Sequence, residues 1–363
     1  MKLSATNSSE NADWGEAWSR FWFTPVDPIG LHVIRVLTGL LLLGWLFPFA
    51  SSLEAFFSLQ GWFDSQAYID LARLAAQNPD VEKPGWSLLY LVNHDPQLVT
   101  SVYWVSIVIL ILFTLGFCTR ITSVLTWLIV ASFTSNPVMS YGGDVLLGIL
   151  AFYLMVGYLL VGWQNTDDPS LWRILGSRSH WLFARRQRTS DATDTKSYAA
   201  NLALRLLQVH IAIVLVTSGL HKLQFPQWWS GDALWYPLHP AMETTLADAR
   251  SHVPYRDYYL GMLSIGTYAA LFWQIGFPLF AWRPRWRPVV LVGAVIGWLS
   301  MAFLYRLPLF GPAIFIGCLS FVPADDFRRL AFRLADRFWH HKRQTIAGPA
   351  TAVTTKNTAT VSS

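Results

Sequence analysis

Lys222 is the residue of this chain best suited to proton chemistry. It ends an apolar segment with the run Ser218-Gly219-Leu220-His221-Lys222, and helical spacing places Gln208, Ser218 and Lys222 on one face. A lysine at bilayer depth is costly and usually functional, whereas one at the end of a span can extend its ammonium to water. Lys222 is therefore a candidate base if its site is dry enough to leave the amine partly neutral. The alternative, a cation that reaches the membrane surface, stays open.

Other polar and aromatic residues are expected at the same end of the bundle. Asn136 precedes the fourth apolar segment and Asp144 begins it, where a carboxylate can act as a helix N-cap. The ends of the fourth and fifth segments could bring Asp144 near Lys222. The candidate binding residues of this pocket are Asp144, Asn136, His221, Trp228 and Trp229.

Two arginines lie inside apolar segments near the opposite end. Arg35 is expected about 9 Å below the end of the first segment, and Arg205 occupies the same depth in the fifth. A guanidinium at that depth can bind a phosphate headgroup, cap helix carbonyls or extend to the surface. Arg35 and Arg205 are therefore candidate lipid-binding residues, with all three roles open.

The composition is that of a membrane protein. Of the 363 residues, 53% are hydrophobic and only 13% are charged, about half the charged share of a soluble domain. The net charge of +5 reflects an asymmetry between loops, so no nucleic-acid partner is expected. Cys118 and Cys318 suggest neither a disulfide nor a metal site.

The apolar segments predict an all-α polytopic membrane protein, a bundle of about eight transmembrane helices with an external loop cap. A span of about 20 apolar residues crosses a hydrocarbon core of roughly 30 Å. The predicted spans lie near residues 29–50, 98–117, 121–133, 144–163, 199–221, 258–282, 289–305 and 308–323. Residues 51–97 and 223–257 are expected to form the cap, because connections this long commonly bind or cover something.

The loop charges predict how the bundle is oriented. Of the 27 Lys and Arg residues, 19 lie in the termini and loops on one side of the predicted bundle, six lie in loops on the other side, and two lie within spans. The side rich in Lys and Arg is normally cytoplasmic. We therefore expect a multi-pass protein of the cell (inner) membrane with both termini in the cytoplasm.

Three segments flank the membrane domain, which covers residues 14–325. Residues 1–13 are predicted to be a polar tail. Residues 326–345 alternate apolar and basic positions at helical spacing, which predicts an amphipathic helix on an anionic inner leaflet. Residues 346–363 are small and polar and are predicted to be disordered.

Four short motifs follow one another along the membrane domain. They are Arg35; Gly116-Phe117 with Thr119-Arg120; Asn136-Pro137 with Tyr141-Gly142-Gly143-Asp144; and Gly219-Leu220-His221-Lys222 followed by Trp228-Trp229 and Gly231. In this order they resemble the horizontally transferred transmembrane (HTTM) family, which includes the membrane part of vitamin K-dependent gamma-carboxylase. The resemblance covers residues 15–325 and rests on the order of the motifs, since no single motif is specific.

The resemblance implies a role for Lys222 and a candidate cofactor. In the carboxylases the matching lysine is taken as the base that deprotonates vitamin K hydroquinone, which makes a quinone the candidate cofactor here. Several departures argue against carboxylation. The chain has no His between His94 and His180 and none between His252 and His340, where carboxylases carry one each, and Gln274 stands where many family members carry Glu. About 40 residues follow the last span, so the large lumenal domain is also expected to be absent.

The leading hypothesis is a membrane protein that binds a lipid-soluble molecule, a quinone or a lipid, near the outer leaflet. Lys222-dependent redox or proton chemistry would take place there. The alternative is a non-enzymatic maturation, immunity or scaffold factor of a bacterial peptide or toxin system, as HTTM proteins of toxin-export systems suggest. Transport is disfavoured, because the sequence shows neither paired broken helices nor a central acidic relay.

Overall fold

The computed structural model describes residues 6–58, 61–62, 65–81, 85–92, 94–136, 143–164, 196–239, 256–330 and 333. The helices that build the bundle are α1 (Thr6–Phe23), α2 (Ile29–Leu46), α3 (Pro96–Leu115), α4 (Thr119–Thr134), α5 (Asp144–Gln164), α6 (Tyr198–Lys222), α7 (Arg256–Ala281), α8 (Arg287–Phe303) and α9 (Phe310–Cys318). Short helical segments lie between them at Phe47–Ser51, Leu53–Phe57, Ser65–Gln77, Leu89–Val92, Pro226–Ser230, Trp235–Leu238 and Leu319–Phe321. The described ranges contain no β-strand, so the predicted all-helical class is confirmed.

A helix lies at each of the eight predicted spans, but not every one is long enough to cross a bilayer. By length and composition, five qualify: α2 with its short extension, α3, α5, α6 and α7. A sixth is reached if Phe310–Phe321 and Ala324–Leu330 count as one broken span. Helices α4 and α8 are apolar but have only 16 and 17 residues. The described part of the chain therefore has five or six candidate spans, and the count of eight stays a prediction.

Helix α6 packs against α1, α5, α7 and α9. Small residues on its buried faces, among them Ala200, Ala203 and Gly219, let neighbouring backbones approach closely. At Gly219 a Cβ atom would lie 2.8 Å from Cγ1 of Ile275 on α7. The C-terminal half of α6 is therefore held directly against α7.

The described residues bury a large apolar core and a smaller cluster around Trp235 and Leu263, and they expose other apolar side chains outward. Ile34, Leu42, Leu110, Phe113 and Leu147 are completely buried. In contrast, α3 and α7 carry exposed Val105, Val108, Leu115, Met262, Ile265, Phe272 and Leu279. Several exposed apolar side chains along one helix are typical of helices that face lipid.

Helices α2 and α6 begin side by side. The backbone N–H of Val26 donates to the carbonyl of Ser197 over 3.2 Å, and that of Ser197 donates back over 2.8 Å. Because both helices run from this end, Arg35 and Arg205 lie at a similar depth, about 9–10 Å along their helices. The similar depth predicted for Arg35 and Arg205 therefore follows from where the two helices begin.

The described parts of residues 51–97 are fastened to the end of α4. The hydroxyl of Ser87 donates to the Ser132 carbonyl over 2.7 Å, and that of Ser135 donates to the Trp86 carbonyl over 2.8 Å. These bonds give the segment a fixed position over one end of the bundle, as a cap requires.

The flanking segments are described only in part. Helix α1 already begins at Thr6, inside the segment predicted as a polar tail. Of residues 326–345, only 326–330 and 333 are described, and there Arg329 pairs with Asp326 over 3.0 Å. Residues 1–5 and 346–363 lie outside the described ranges.

Candidate functional site

Lys222 is the last residue of α6, and its amine is held inside the bundle's end by three side chains. Nζ donates to Oε1 of Gln274 on α7 over 2.6 Å and lies 3.4 Å from Oγ of Ser218, one turn earlier. Nζ also lies 5.1 Å from the centroid of the Trp228 ring. We call Lys222, Ser218, Gln274 and Trp228 the Lys222 cluster.

The local fold explains why these four side chains meet. Gly219 lets α6 approach α7, so that a Cβ atom there would lie 3.2 Å from Cβ of Gln274. Helix α7 continues through Pro278, and the Gln274 side chain is buried. After Lys222 the chain turns into the short helix Pro226–Ser230, whose Trp229 carbonyl accepts from the hydroxyl of Tyr268 over 2.6 Å. Trp228 is thereby brought over the amine.

The groups that contact the Lys222 amine are polar or aromatic and carry no negative charge. Within the described ranges no carboxylate lies at ion-pair distance from its amine, and the acceptor Gln274 is a neutral amide. The indole ring of Trp228 adds a cation–π contact, worth about 0.5–2 kcal/mol depending on desolvation. An ammonium has three N–H donors, so one remains for an acceptor oxygen from outside the cluster.

Asp144, which the sequence analysis placed near Lys222, lies at the start of another helix. Helix α5 begins at Asp144, and the Gly143 carbonyl accepts from the N–H of Leu146 over 3.0 Å, so the cap position belongs to Gly143. Asp144 is buried at this positive helix end, and it is not among the polar partners that the described residues provide for Lys222. Residues 137–142 of the same motif lie outside the described ranges.

Asn136 holds the segment after α2 through its side chain. Its Nδ2 donates to the Phe56 carbonyl over 2.8 Å, and its side chain is buried. The bond joins the end of α4 to the segment after α2. This contact accounts for an asparagine at this position independently of any ligand.

His221 and Trp229 are neighbours of the cluster in sequence, and their observed contacts are with residues outside it. The exposed His221 ring packs edge-on against Phe225 at 5.3 Å between centroids. Trp229 is 64% exposed, and its Nε1 donates to the Leu223 carbonyl over 2.7 Å. Of the predicted aromatic residues, Trp228 is therefore the one in contact with Lys222.

Arg35 packs against the C-terminal end of α3. Gly116 ends that helix with φ of 88°, a left-handed conformation that favours glycine. A Cβ atom at Gly116 would lie 2.6–2.9 Å from the guanidinium of Arg35. A cation at a helix C-terminus typically contributes about 0.3–1 kcal/mol. Arg35 thus serves as a stabilising cation between α2 and α3, and two motifs that are distant in sequence meet there.

Gln274 is a residue of this site that the sequence analysis did not include among the candidate site residues. The run Gln274-Ile275-Gly276-Phe277-Pro278 predicts a packed, kinked helix with little functional importance. Its position next to Lys222 depends on how α6 and α7 pack. The available signal was a polar side chain inside an apolar span, which is costly unless it has a partner. Within the described ranges, no group of three or more His, Cys, Asp or Glu residues is arranged so that it could hold a metal ion.

The fold and surface are compatible with an integral membrane protein, which is the class that the five or six apolar helices indicate. Among curated proteins, the chain is similar to the "Uncharacterized protein YitO" of Bacillus subtilis (strain 168), with 27% identity over 154 residues. The match covers 42% of this chain and 44% of that protein, less than half of either. No protein-family profile and no solved structure matches the chain.

Proposed function

We propose that the chain is an HTTM-like membrane protein that binds a lipid-soluble molecule of the quinone class at the Lys222 cluster. The observation that carries the proposal is the amine of Lys222, fixed by Gln274 over 2.6 Å and lying beside the Trp228 ring. Residues of the motifs on which the resemblance rests also lie in contact. Arg35 contacts Gly116, and Lys222 contacts Trp228.

The residues present fit a quinone. A quinone has carbonyl oxygens that accept hydrogen bonds and a flat ring that can stack, and the cluster provides an ammonium donor and an indole face. When bound, a quinone supplies two-electron, two-proton redox chemistry. In the chain itself, Gln274 orients the amine of Lys222, Trp228 shields it from water, and Nζ donates a hydrogen bond or transfers a proton.

The test of the proposal is whether the purified protein retains a bound quinone. Protein extracted in mild detergent should retain a quinone in near-stoichiometric amount, measured by organic extraction and mass spectrometry. Trp228→Ala should lose most of it, because the stacking surface is removed. Trp286→Ala, which replaces an exposed tryptophan before α8, is the matched control and should retain it. Equal quinone in both variants, or no enrichment over a control membrane protein, would contradict the proposal.

A second candidate is a non-enzymatic maturation, immunity or scaffold factor. The observation in its favour is the hydrogen bond from Lys222 to Gln274. A neutral amide that accepts from the amine can hold it as a structural cation that joins α6 to α7. In that case any residue that preserves the charge and the bond should suffice.

We also propose that the Lys222 end faces outside and that both termini are cytoplasmic, on the strength of the charge asymmetry. Cysteines introduced at the exposed positions Lys196 and Gln224, which flank α6, test the orientation after Cys118 and Cys318 are replaced by alanine. A membrane-impermeant maleimide should label Gln224→Cys in intact cells and Lys196→Cys only after permeabilisation. The reverse pattern would overturn the orientation.

A further inference from the structure

Helix α1 carries an aromatic face and a charged face. Trp14, Trp18 and Trp22 follow one another at intervals of four residues, which places them on one side of the helix. On the opposite side, Glu16 and Arg20 form an exposed ion pair with 3.1 Å between Oε2 and Nη2. This separation of aromatic and charged side chains is typical of helices that lie on a membrane surface.

The C-terminal end of α1 is fastened to the start of α6. Nδ2 of Asn201, in the first turn of α6, donates to the carbonyls of Phe21 and Trp22 over 3.0 and 2.9 Å. The Asn201 side chain is buried, and one turn later Cζ of Arg205 lies 4.4 Å from the centroid of the Phe21 ring. The last turn of α1 is therefore fixed beside the first two turns of α6.

The earlier turns of the aromatic face are uncovered. Trp14 is 76% exposed and Trp18 is 66% exposed, although both lie on the same side of α1 as the half-buried Trp22. The rings of Trp18 and Trp22 meet edge-on, with 5.7 Å between their centroids. The aromatic face therefore continues from the contact with α6 onto an exposed part of the molecule.

The attachment point on α6 is at the level of a membrane surface. Helix α6 is a candidate span of 25 residues, which is about 37 Å long, whereas a hydrocarbon core is roughly 30 Å thick. The first turn of α6 therefore lies in the headgroup region when the helix crosses the bilayer. Tryptophan is enriched at that level, because its ring is apolar and its N–H can bond to water or headgroups.

We propose that α1 lies along the membrane surface, with Trp14 and Trp18 among the lipid headgroups and with Glu16 and Arg20 toward water. The lipid interface is the partner of this face because the face continues the contact between α1 and α6 at the level where α6 enters the bilayer. In this position α1 anchors one end of the bundle and sets the depth of α6. The anchoring role is independent of a ligand at the Lys222 cluster.

The test measures the depth of labelled side chains in vesicles of phosphatidylcholine and phosphatidylglycerol. Full-length protein in which Cys118 and Cys318 are replaced by alanine receives one cysteine at a time, Trp14→Cys, Trp18→Cys or Glu16→Cys, and each is labelled with a nitrobenzoxadiazole dye. Lipids that carry a nitroxide at known depths quench the dye. If α1 lies flat, the dyes at 14 and 18 should be about 10 Å deeper than the dye at 16, the diameter of a helix. If α1 stands upright, positions 16 and 18 should differ by only about 3 Å.

Aqueous iodide on both sides of the membrane completes the test. It should quench the dye at position 16 strongly and the dyes at positions 14 and 18 weakly. Glu16→Cys is a matched control, because the exposed ion pair that it removes contributes little to stability. Similar depths at the three positions, or equal quenching by iodide, would overturn the proposal. Protection of positions 14 and 18 from iodide without quenching by the nitroxide lipids would show that protein, such as a second copy of the chain, covers this face, and would overturn the assignment to lipid.

Discussion

Lys222→Met is expected to weaken the binding of a short-tailed quinone such as decylubiquinone about 10- to 100-fold. The substitution keeps an apolar chain of similar length and removes the ammonium that would donate to a carbonyl oxygen. Hydrogen bonds to charged groups contribute about 1.5–3 kcal/mol, which corresponds to that loss. Binding is measured by quenching of tryptophan fluorescence on titration of the purified protein, with circular dichroism to verify that the helices are intact.

Two further variants make the result specific. Lys196→Met replaces the exposed lysine just before α6, at the opposite end of the same helix, and should bind the quinone like the wild type. Lys222→Arg keeps the positive charge but cannot give up a proton at working pH. If Lys222→Arg binds quinone but loses quinone turnover, the amine acts as a base. If Lys222→Met binds as tightly as the wild type, the cluster is not the quinone site.

Gly39→Ala is expected to destabilise the bundle by about 1–3 kcal/mol, the usual cost of overpacking. Gly39 on α2 faces Thr114 on α3, where an added Cβ would lie 3.0 Å from Cβ and 3.2 Å from Cα of Thr114 and closer still to its hydroxyl. The hydroxyl can rotate, but the backbone atom can yield only if the two helices separate. The midpoint of chemical unfolding in detergent, followed by circular dichroism, measures the loss.

Gly44→Ala is the matched control on the same helix. A Cβ at Gly44 would meet nothing within 4 Å, and alanine is favoured over glycine in a helix by about 1 kcal/mol. This variant should therefore be at least as stable as the wild type. Combining Gly39→Ala with Thr114→Ala should recover part of the lost stability. Equal stability of the two single glycine variants would show that α2 and α3 do not approach so closely.

Much of the helical architecture could be predicted from the sequence. Apolar segments bounded by charged or turn-forming residues mark helices because backbone groups in a bilayer must bond within the segment. The prediction of a helix at residues 199–221 therefore lies within one residue of α6, Tyr198–Lys222. The number of spans differs from the predicted eight, since five or six of the described helices are long enough and α4 and α8 are short for a bilayer.

The candidate site could be predicted only in part. The end position of Lys222 follows from the length of one apolar segment, and the return of Trp228 follows from the short turn after it. The interaction with Gln274 joins residues 52 positions apart and depends on how α6 and α7 are rotated and shifted. Apolar periodicity specifies which face of a helix is buried, but not which neighbour covers it.

By itself, the sequence indicated the membrane class of this protein, the position of its helices and the positions of Lys222, Arg35 and Arg205 along them, because these depend on local hydrophobicity and helix geometry. Only the tertiary structure decided which side chains are partners. Gly116 provides the space at a helix end that accommodates Arg35, whereas Arg205 donates to Gln208 on its own helix over 2.9 Å. Two residues of the same type, at similar positions along their helices, thus have different partners, because packing between distant segments sets what surrounds them.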